Sequence, residues 1–301
     1  MAQMKLLSEV VMDALVLHAE QKPPRLKRGR GKRPIVVGSG NAYETGRIIF
    51  RDADAVFADE GQYPLVLART PTIDEAVVLS ASGCKHAPDI VKDLLGRGLE
   101  TFLVTCNGES KAAKLLDEAH VTVTRSRPEP ITYNTSTYLG MILAKTQEDP
   151  ARIRRHIENE VEPRLGDMTA FSAFYLLVEP RYDVQRSMFI TKFDELFGPM
   201  VNGRCYTTEQ TVHAKTVVPW EKELFISFGY ENRIFGHPSA RLNIPLFDGA
   251  GDAAVVAIGY YVIGRIQQQF PPYFMENADR YSPLQPQLFQ QLHAPPRGTG
   301  T

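Results

Sequence analysis

Two serines, a glycine, a thiol and two basic side chains crowd into Ser80-Ala81-Ser82-Gly83-Cys84-Lys85-His86. The apolar run Ala76-Val77-Val78-Leu79 precedes them and an amphipathic stretch from Ala87 to Leu95 follows. This pattern predicts a buried strand, a tight hydroxyl-rich turn and the opening of a helix. Such a turn aims backbone N–H groups, serine hydroxyls and the positive end of a helix dipole at one point. An anion suits that point, a phosphate above all. A serine cap on a glycine turn with no ligand would give the same pattern, and the loop alone does not separate the two. A helix N-terminus also lowers the pKa of a thiol. For Cys84, however, only His86 stands near as a base, which favours a bystander over a nucleophile.

The elements around this loop follow from periodicity. A helix is predicted over Lys5–Glu20 and ends before Pro23-Pro24. Strands are predicted at Pro34–Gly38, Ala55–Ala58, Ala76–Leu79, Thr101–Thr105 and Val121–Thr124. Helices are expected after the turn Ser39–Ala42, over Ala87–Leu95, from Lys111 to Glu118, and from Asn134 to Lys145. Uniformly apolar strands alternating with amphipathic helices imply a parallel sheet covered on both faces. Ligands of such sheets sit outside the carboxyl ends of the strands. The loops at 38–42, 80–86 and 105–110 all lie on that edge.

A boundary is predicted at Gln147–Pro150, giving a first unit over 1–150 and a second over 151–301. The second unit opens on a charged helix, Ala151–Glu160, followed by a strand at Phe174–Val178. A helix from Val184 to Phe197, a strand at Glu223–Phe228 and a strongly apolar packing or dimer helix over Ala253–Gln269 complete it. Residues 229–251 resist assignment, and the Pro- and Gln-rich tail from Pro271 reads as extended, with disorder at its end.

Composition bounds the function. The chain has 301 residues, 43% of them apolar, and a net charge of −1. That argues against disorder, and against a surface that is globally a nucleic-acid or membrane platform. No apolar run reaches the roughly 18–20 residues of a spanning helix, and no secretory leader pattern opens the chain, so a cytoplasmic protein is expected. Cys84, Cys106 and Cys205 lie far apart, without metal-ligand spacing or an even disulfide set. The basic run Arg25–Arg33 could track a phosphate backbone. Lacking interleaved aromatic residues for base stacking, it reads better as a solvated linker.

Four stretches, taken together, carry a resemblance. Gly38-Ser39-Gly40-Asn41-Ala42, Ser80–Gly83, Thr105-Cys106-Asn107-Gly108-Glu109-Ser110 and Glu129-Pro130 to Tyr138 stand in the order of the signatures of a sugar isomerase (SIS) domain. The resemblance implies a five-stranded flavodoxin-like α/β/α sandwich that binds a phosphosugar. Gly38, Ser39, Gly40, Asn41, Ser80, Ser82, Gly83, Cys84, Lys85, Thr105 and Glu129 then become candidate ligands of the phosphate and sugar. Lys85 replaces a common threonine of the family. The second half resembles a shortened second copy, so the expected fold is two such subdomains with parallel sheets, the second one reduced.

Tyr182–Phe197 is similar to the helix that carries a catalytic glutamate in the isomerase domain of glucosamine-6-phosphate synthase and in phosphoglucose/phosphomannose isomerases. Tyr206–Lys215 resembles the segment that ends in their catalytic histidine. The resemblance makes Glu195 and His213 the catalytic candidates. Aldose–ketose isomerisation needs a base that moves a proton between C1 and C2, which suits a carboxylate. It also needs a ring-opening group, which suits a histidine titrating near 6.5. The residues after His213, Ala214-Lys215, depart from the family's Gly-Pro. A second serine loop and the family's C-terminal lysine have no counterpart.

The leading expectation is a sugar-phosphate isomerase without metal or redox cofactor, acting as a homodimer on a phosphorylated sugar. A non-catalytic phosphosugar-binding protein, or a deaminase or deglycase of the same fold, is the alternative. A nicotinamide oxidoreductase is disfavoured, because Tyr43 stands where the dinucleotide fingerprint after Gly38-Ser39-Gly40 requires a third glycine.

Overall fold

The computed structural model describes residues 4–130, 132–214 and 218–280. Strands Pro34–Val37 (β1), Val56–Ala58 (β2), Glu75–Leu79 (β3), Glu100–Thr105 (β4) and Val121–Val123 (β5) pair in parallel, in the order β2-β1-β3-β4-β5. β1 and β3 are buried along their whole length. This is why their sequences are apolar runs rather than alternating ones. The helices are Leu7–Glu20 (α1), Asn41–Ile49 (α2), Tyr63–Arg69 (α3), Ala87–Gly96 (α4) and Thr135–Thr146 (α5). Successive strand residues face opposite sides. Val36, Val77 and Val104 meet α1, α2 and α5, whereas Ile35, Val78 and Leu103 meet α3 and α4.

The second half begins with Pro150–His156 (α6) and continues through Ala173–Val178 (β6), Arg186–Phe197 (α7), Asn202–Thr207 (β7) and Thr208–Ala214 (α8). Glu223–Phe228 (β8), Arg241–Ile244 (β9) and Asp252–Gln269 (α9) follow. Its sheet is also parallel, in the order β7-β6-β8-β9. The architecture is therefore the expected α/β pair of parallel sheets, the second one strand shorter. The two halves share one apolar core, in which α1, α2, α5, α6, α7 and α9 lie between the sheets. α9 is buried from Ala253 to Gly264 within its own chain. A Cβ on Gly264 would come within 2.1 Å of the Ser8 backbone nitrogen, so α1 and α9 cross at backbone contact.

Several elements differ from the periodicity. The helix expected over Lys111–Glu118 is two separate 3-10 turns, Ala113–Leu115 and Glu118–His120. The Ala112 amide is diverted to the Gly83 carbonyl and Leu116 is extended, so no helical ladder can run through. α3, β7 and β9 were not expected. α3 buries no residue fully, and β7 and β9 are the polar edge strands of their sheet, without an apolar run. A 3-10 turn at Pro180–Gln185 precedes α7, where the helix was expected to begin at Val184. Beyond Pro271 the chain is helical at 273–280 rather than extended. The expected disordered end lies outside the described residues.

The basic run crosses the amino ends of β3 and β4, the edge opposite the loops. Amides of Gly31, Lys32 and Arg33 donate to Glu75 and Asp74, and Lys27 Nζ donates to the Glu118 carbonyl. Arg33 lies 3.7 Å from Asp54. Here the run ties the chain down along the sheet.

Candidate functional site

In the order β2-β1-β3, the chain leaves β1 on opposite sides, and a crevice opens between the carboxyl ends of β1 and β3. The loops after these strands hold most of the candidates. A Cβ on Gly38 would lie 2.7 Å from the Tyr43 nitrogen, so only glycine lets α2 start this close to the strand end. Gly40 adopts φ +53° as the residue that caps α2. Ser39 and Asn41 flank it, both half-buried.

The loop after β3 closes on itself and on its neighbour. The Gly83 amide donates to Ser80 Oγ at 3.1 Å and the Cys84 amide to Ser82 Oγ at 3.3 Å. Both hydroxyls thus act as acceptors inside the loop and keep their own protons for an outside acceptor. Gly83 adopts φ +63°, and a Cβ there would fall 2.2 Å from Ser110 Oγ. The loop can lie against 105–110 only with glycine at 83. Lys85, Ser82 and Cys84 are exposed at its rim.

Thr105 is buried. Its hydroxyl donates to the Ala81 carbonyl and accepts from the Asn107 amide, which makes it the stitch between the loops rather than an open ligand. Ser110 Oγ accepts from the Ala113 amide, as an N-cap does. The Glu129 carboxylate accepts from the Thr135 and Ser136 amides, at 2.5 and 2.6 Å, and so caps α5. Burial pushes its pKa up, against the lowering effect of those bonds and of Lys192.

The Glu195 environment differs from what its sequence suggests. Lys192 and Glu195, three apart on α7, look like a solvent-facing pair. In the fold the Lys192 side chain is fully buried and its ammonium donates to Glu195 Oε2 at 2.6 Å. It also donates to the Thr132 carbonyl at 2.6 Å and lies 5.4 Å from the centre of the Tyr260 ring. Thr132 has φ +77°, a left-handed conformation that a β-branched residue rarely takes. Lys192 is thus the post that holds Thr132 of the first half against α7 of the second. Burial raises the Glu195 pKa and lowers that of Lys192, each opposed by the partner's charge. No sequence signal sets Lys192 apart from an ordinary i,i+3 surface pair.

His213 lies elsewhere. α7 packs through Phe189 and Phe193 on the face of β6 that carries Phe174, Leu176 and Val178. α8 covers the other face, where Thr211 meets the Tyr175 hydroxyl at 3.4 Å. Glu195 and His213 therefore stand on helices on opposite faces of one sheet, and His213 is exposed. The structure gathers Gly38, Ser39, Gly40, Asn41, Ser80, Ser82, Gly83, Cys84, Lys85 and Thr105 around one crevice. Glu129 stands at the start of α5 and Glu195 at Lys192 on α7, and His213 is not brought to either within one chain. Lys215 lies outside the described residues. Among the described residues no group of three His, Cys, Asp or Glu side chains could hold a metal. No helix there is long and apolar enough to cross a membrane.

No protein-family model and no curated protein sequence matches the chain. Solved structures do match in fold. Tagatose-6-phosphate ketose/aldose isomerase from Escherichia coli superposes with a TM-score of 0.55 at 11% identity, over 89% of this chain and 91% of that one. Glucosamine-6-phosphate deaminase from Thermotoga maritima gives 0.54 at 16%, over 87% and 91%. The C-terminal domain of glucosamine-fructose-6-phosphate aminotransferase from Francisella tularensis gives 0.52 at 10%, over 87% and 93%. The likeness covers most of the chain, and the chain shares the fold of these proteins.

Proposed function

We propose that the chain binds a phosphorylated sugar in the crevice between β1 and β3 and interconverts its aldose and ketose forms. The observation that carries the binding is the loop at 80–85. Its serine hydroxyls are held by the loop's own amides with their protons free, and the Lys85 ammonium stands at the rim. A phosphate dianion would accept from both hydroxyls and pair with the ammonium. The sugar would extend past Ser39 and Asn41 toward Glu195.

Glu195 is the group suited to the proton transfer. Its carboxylate would take the proton from C2 of the open-chain aldose, leaving an enediolate, and return it to C1 as the second carbonyl forms. Burial raises its pKa and so its basicity, and the Lys192 ammonium keeps it ionised and oriented. Ring opening by His213 would require the His213 of a second copy, consistent with a homodimer.

The test is a panel of hexose and pentose phosphates, read first by thermal stabilisation and then by exchange of the C2 proton with solvent deuterium. Stabilisation by at least one sugar phosphate and C2 exchange that disappears in Glu195→Gln are expected. Exchange that persists in that variant removes Glu195 as the base. The exposed position of His213 favours a second reading, a phosphosugar-binding protein without turnover. Saturable binding with no exchange on any ligand would decide for it.

A further inference from the structure

Beside the 80–85 loop, on the outer face of α4, an open groove of about 480 Å3 runs between the first two turns of α4 and the 3-10 turn at 113–115. Lys85 lines it from the loop before α4 and Lys92 from the second turn of α4. Lys111 and Lys114 line it from the opposite bank, and Asp89 is the one acid among its described lining residues. Of these four lysines only Lys114 has a carboxylate of a described residue within 4 Å, that of Glu109 at 3.5 Å, and both of those side chains are well exposed.

This concentration of cations is not a property of the whole surface, because the chain carries a net charge of −1. It also differs from the basic run at 25–33, whose amides and side chains are bound to Asp74, Glu75, Asp54 and the Glu118 carbonyl. Four ammonium groups around one groove repel one another, and a bound anion relieves that repulsion. The groove is continuous with the phosphate loop, since Cys84 and Lys85 belong to both.

The geometry points to a ligand with two adjoining phosphates, a diphosphate, one seated on the serines at 80–82 and the next between the lysines. The inference rests on the loop being the phosphate site of the proposed function. A diphosphate-linked sugar would lay its sugar in the β1/β3 crevice and its second phosphate in the groove. A free polyphosphate effector would take the same two seats, on the serines and between the lysines, without laying a sugar in the crevice.

Calorimetric titration at about 0.1 M salt, where screening acts over about 10 Å, tests this with orthophosphate and pyrophosphate on the full chain. Binding of pyrophosphate about tenfold tighter than orthophosphate is expected, equivalent to about 1.4 kcal/mol. The triple variant Lys92→Gln, Lys111→Gln, Lys114→Gln should bring the two ligands within about threefold while leaving orthophosphate affinity within about twofold, because none of the three belongs to the loop. Equal affinities in the unaltered protein, or a preference that survives the triple variant, would overturn the groove as an anion site. A lysine-dependent preference that Ser82→Ala leaves untouched overturns the loop as the first phosphate site, and with it the seated diphosphate. Titration of a nucleoside diphosphate sugar with and without saturating pyrophosphate separates the sources. Competition together with tighter binding than pyrophosphate supports the linked sugar, competition with no gain over pyrophosphate supports the free polyphosphate, and simultaneous binding of pyrophosphate and a hexose 6-phosphate overturns the diphosphate seated on the serines.

Discussion

The two sheets repeat one topology, yet their crevices are opposites. In the first, the switch point between β1 and β3 is edged by serines, glycines and an exposed lysine, with serine hydroxyls that accept from the loop's own amides. In the second, the switch point lies between β6 and β8, and the loop after β6 brings Glu179 instead. A Cβ on Gly229, after β8, would come within 2.8 Å of the Glu179 carboxylate and 3.0 Å of Leu246. Glu179, paired with Arg181, and Leu246 stand at that strand end, where no serine loop offers hydroxyls to an anion. Charges of the second half are also paired within the chain: Glu179 with the exposed Arg181, Asp183 with Arg186, and Glu195 with the buried Lys192. One copy of the fold leaves its polar groups open to a ligand, and the other has paired them within the chain.

The largest effects should come from breaking the inward pairing. Lys192→Met leaves the Glu195 carboxylate buried without its cation and frees the Thr132 carbonyl, a change expected to destabilise by about 3–5 kcal/mol in urea unfolding. Adding Glu195→Leu to the same chain should recover a large part of that loss, a coupling that a double-mutant cycle reads directly. A small cost for Lys192→Met would mean that the second half is no more internally paired than the first.

In the first crevice the opposite balance is expected. Ser82→Ala with Lys85→Ala removes exposed groups, so unfolding stability should change by less than about 0.5 kcal/mol. Phosphosugar binding should weaken by about 2–3 kcal/mol through the lost charge-assisted bonds. Gly83→Ala should lose both, because its Cβ would strike Ser110 and its φ is left-handed, with about 1–3 kcal/mol from strain alone.

A pH profile sharpens the comparison further. Burial raises the Glu195 pKa, so turnover should fall on the acid side at a higher pH than an ordinary carboxylate would give. A fall only within the ordinary carboxylate range would count against Glu195 as the base. The smallest effect concerns Glu75 at the far edge of the first sheet. It is fully buried, Oε1 has no partner, and burial raises its pKa. A raised folded pKa means that the protonated form is favoured, and that stability is lost as the pH rises through that value. Glu75→Gln should therefore stabilise by about 1 kcal/mol at neutral pH, with the gain vanishing as the pH falls below the ordinary carboxylate range. Equal gains at all pH values would contradict this origin.

Legibility differed between elements for physical reasons. β1, β3, β4, β6 and β8 are central or heavily buried strands and show as apolar runs. β7 and β9 sit at sheet edges with half-exposed polar residues, and nothing in Asn202–Thr207 or Arg241–Ile244 distinguishes them from loop. The glycines at 38, 40 and 83 were readable because turn geometry and backbone approach demand them. Thr105 looked like a ligand, but its hydroxyl closes the loop against Ala81. Glu129 looked like a sugar-facing acid, but it caps α5.

By itself the sequence determined the alternating α/β order, the parallel sheets and the anion-ready loop at 80–86. Strand burial, turn chemistry and helix starts are all written in local residue types. The fate of each charge was decided only by the tertiary structure. Whether Lys192 is a surface cation or the buried anchor of Glu195 depends on which helix face meets the first half. Whether His213 joins Glu195 depends on which side of β6 each helix covers. Whether a basic cluster is neutralised, as at 25–33, or left open, as around Lys92 and Lys111, depends on acids distant in the chain. Electrostatic partners act through space, and their separations are fixed only when the sheets and helices close on one another.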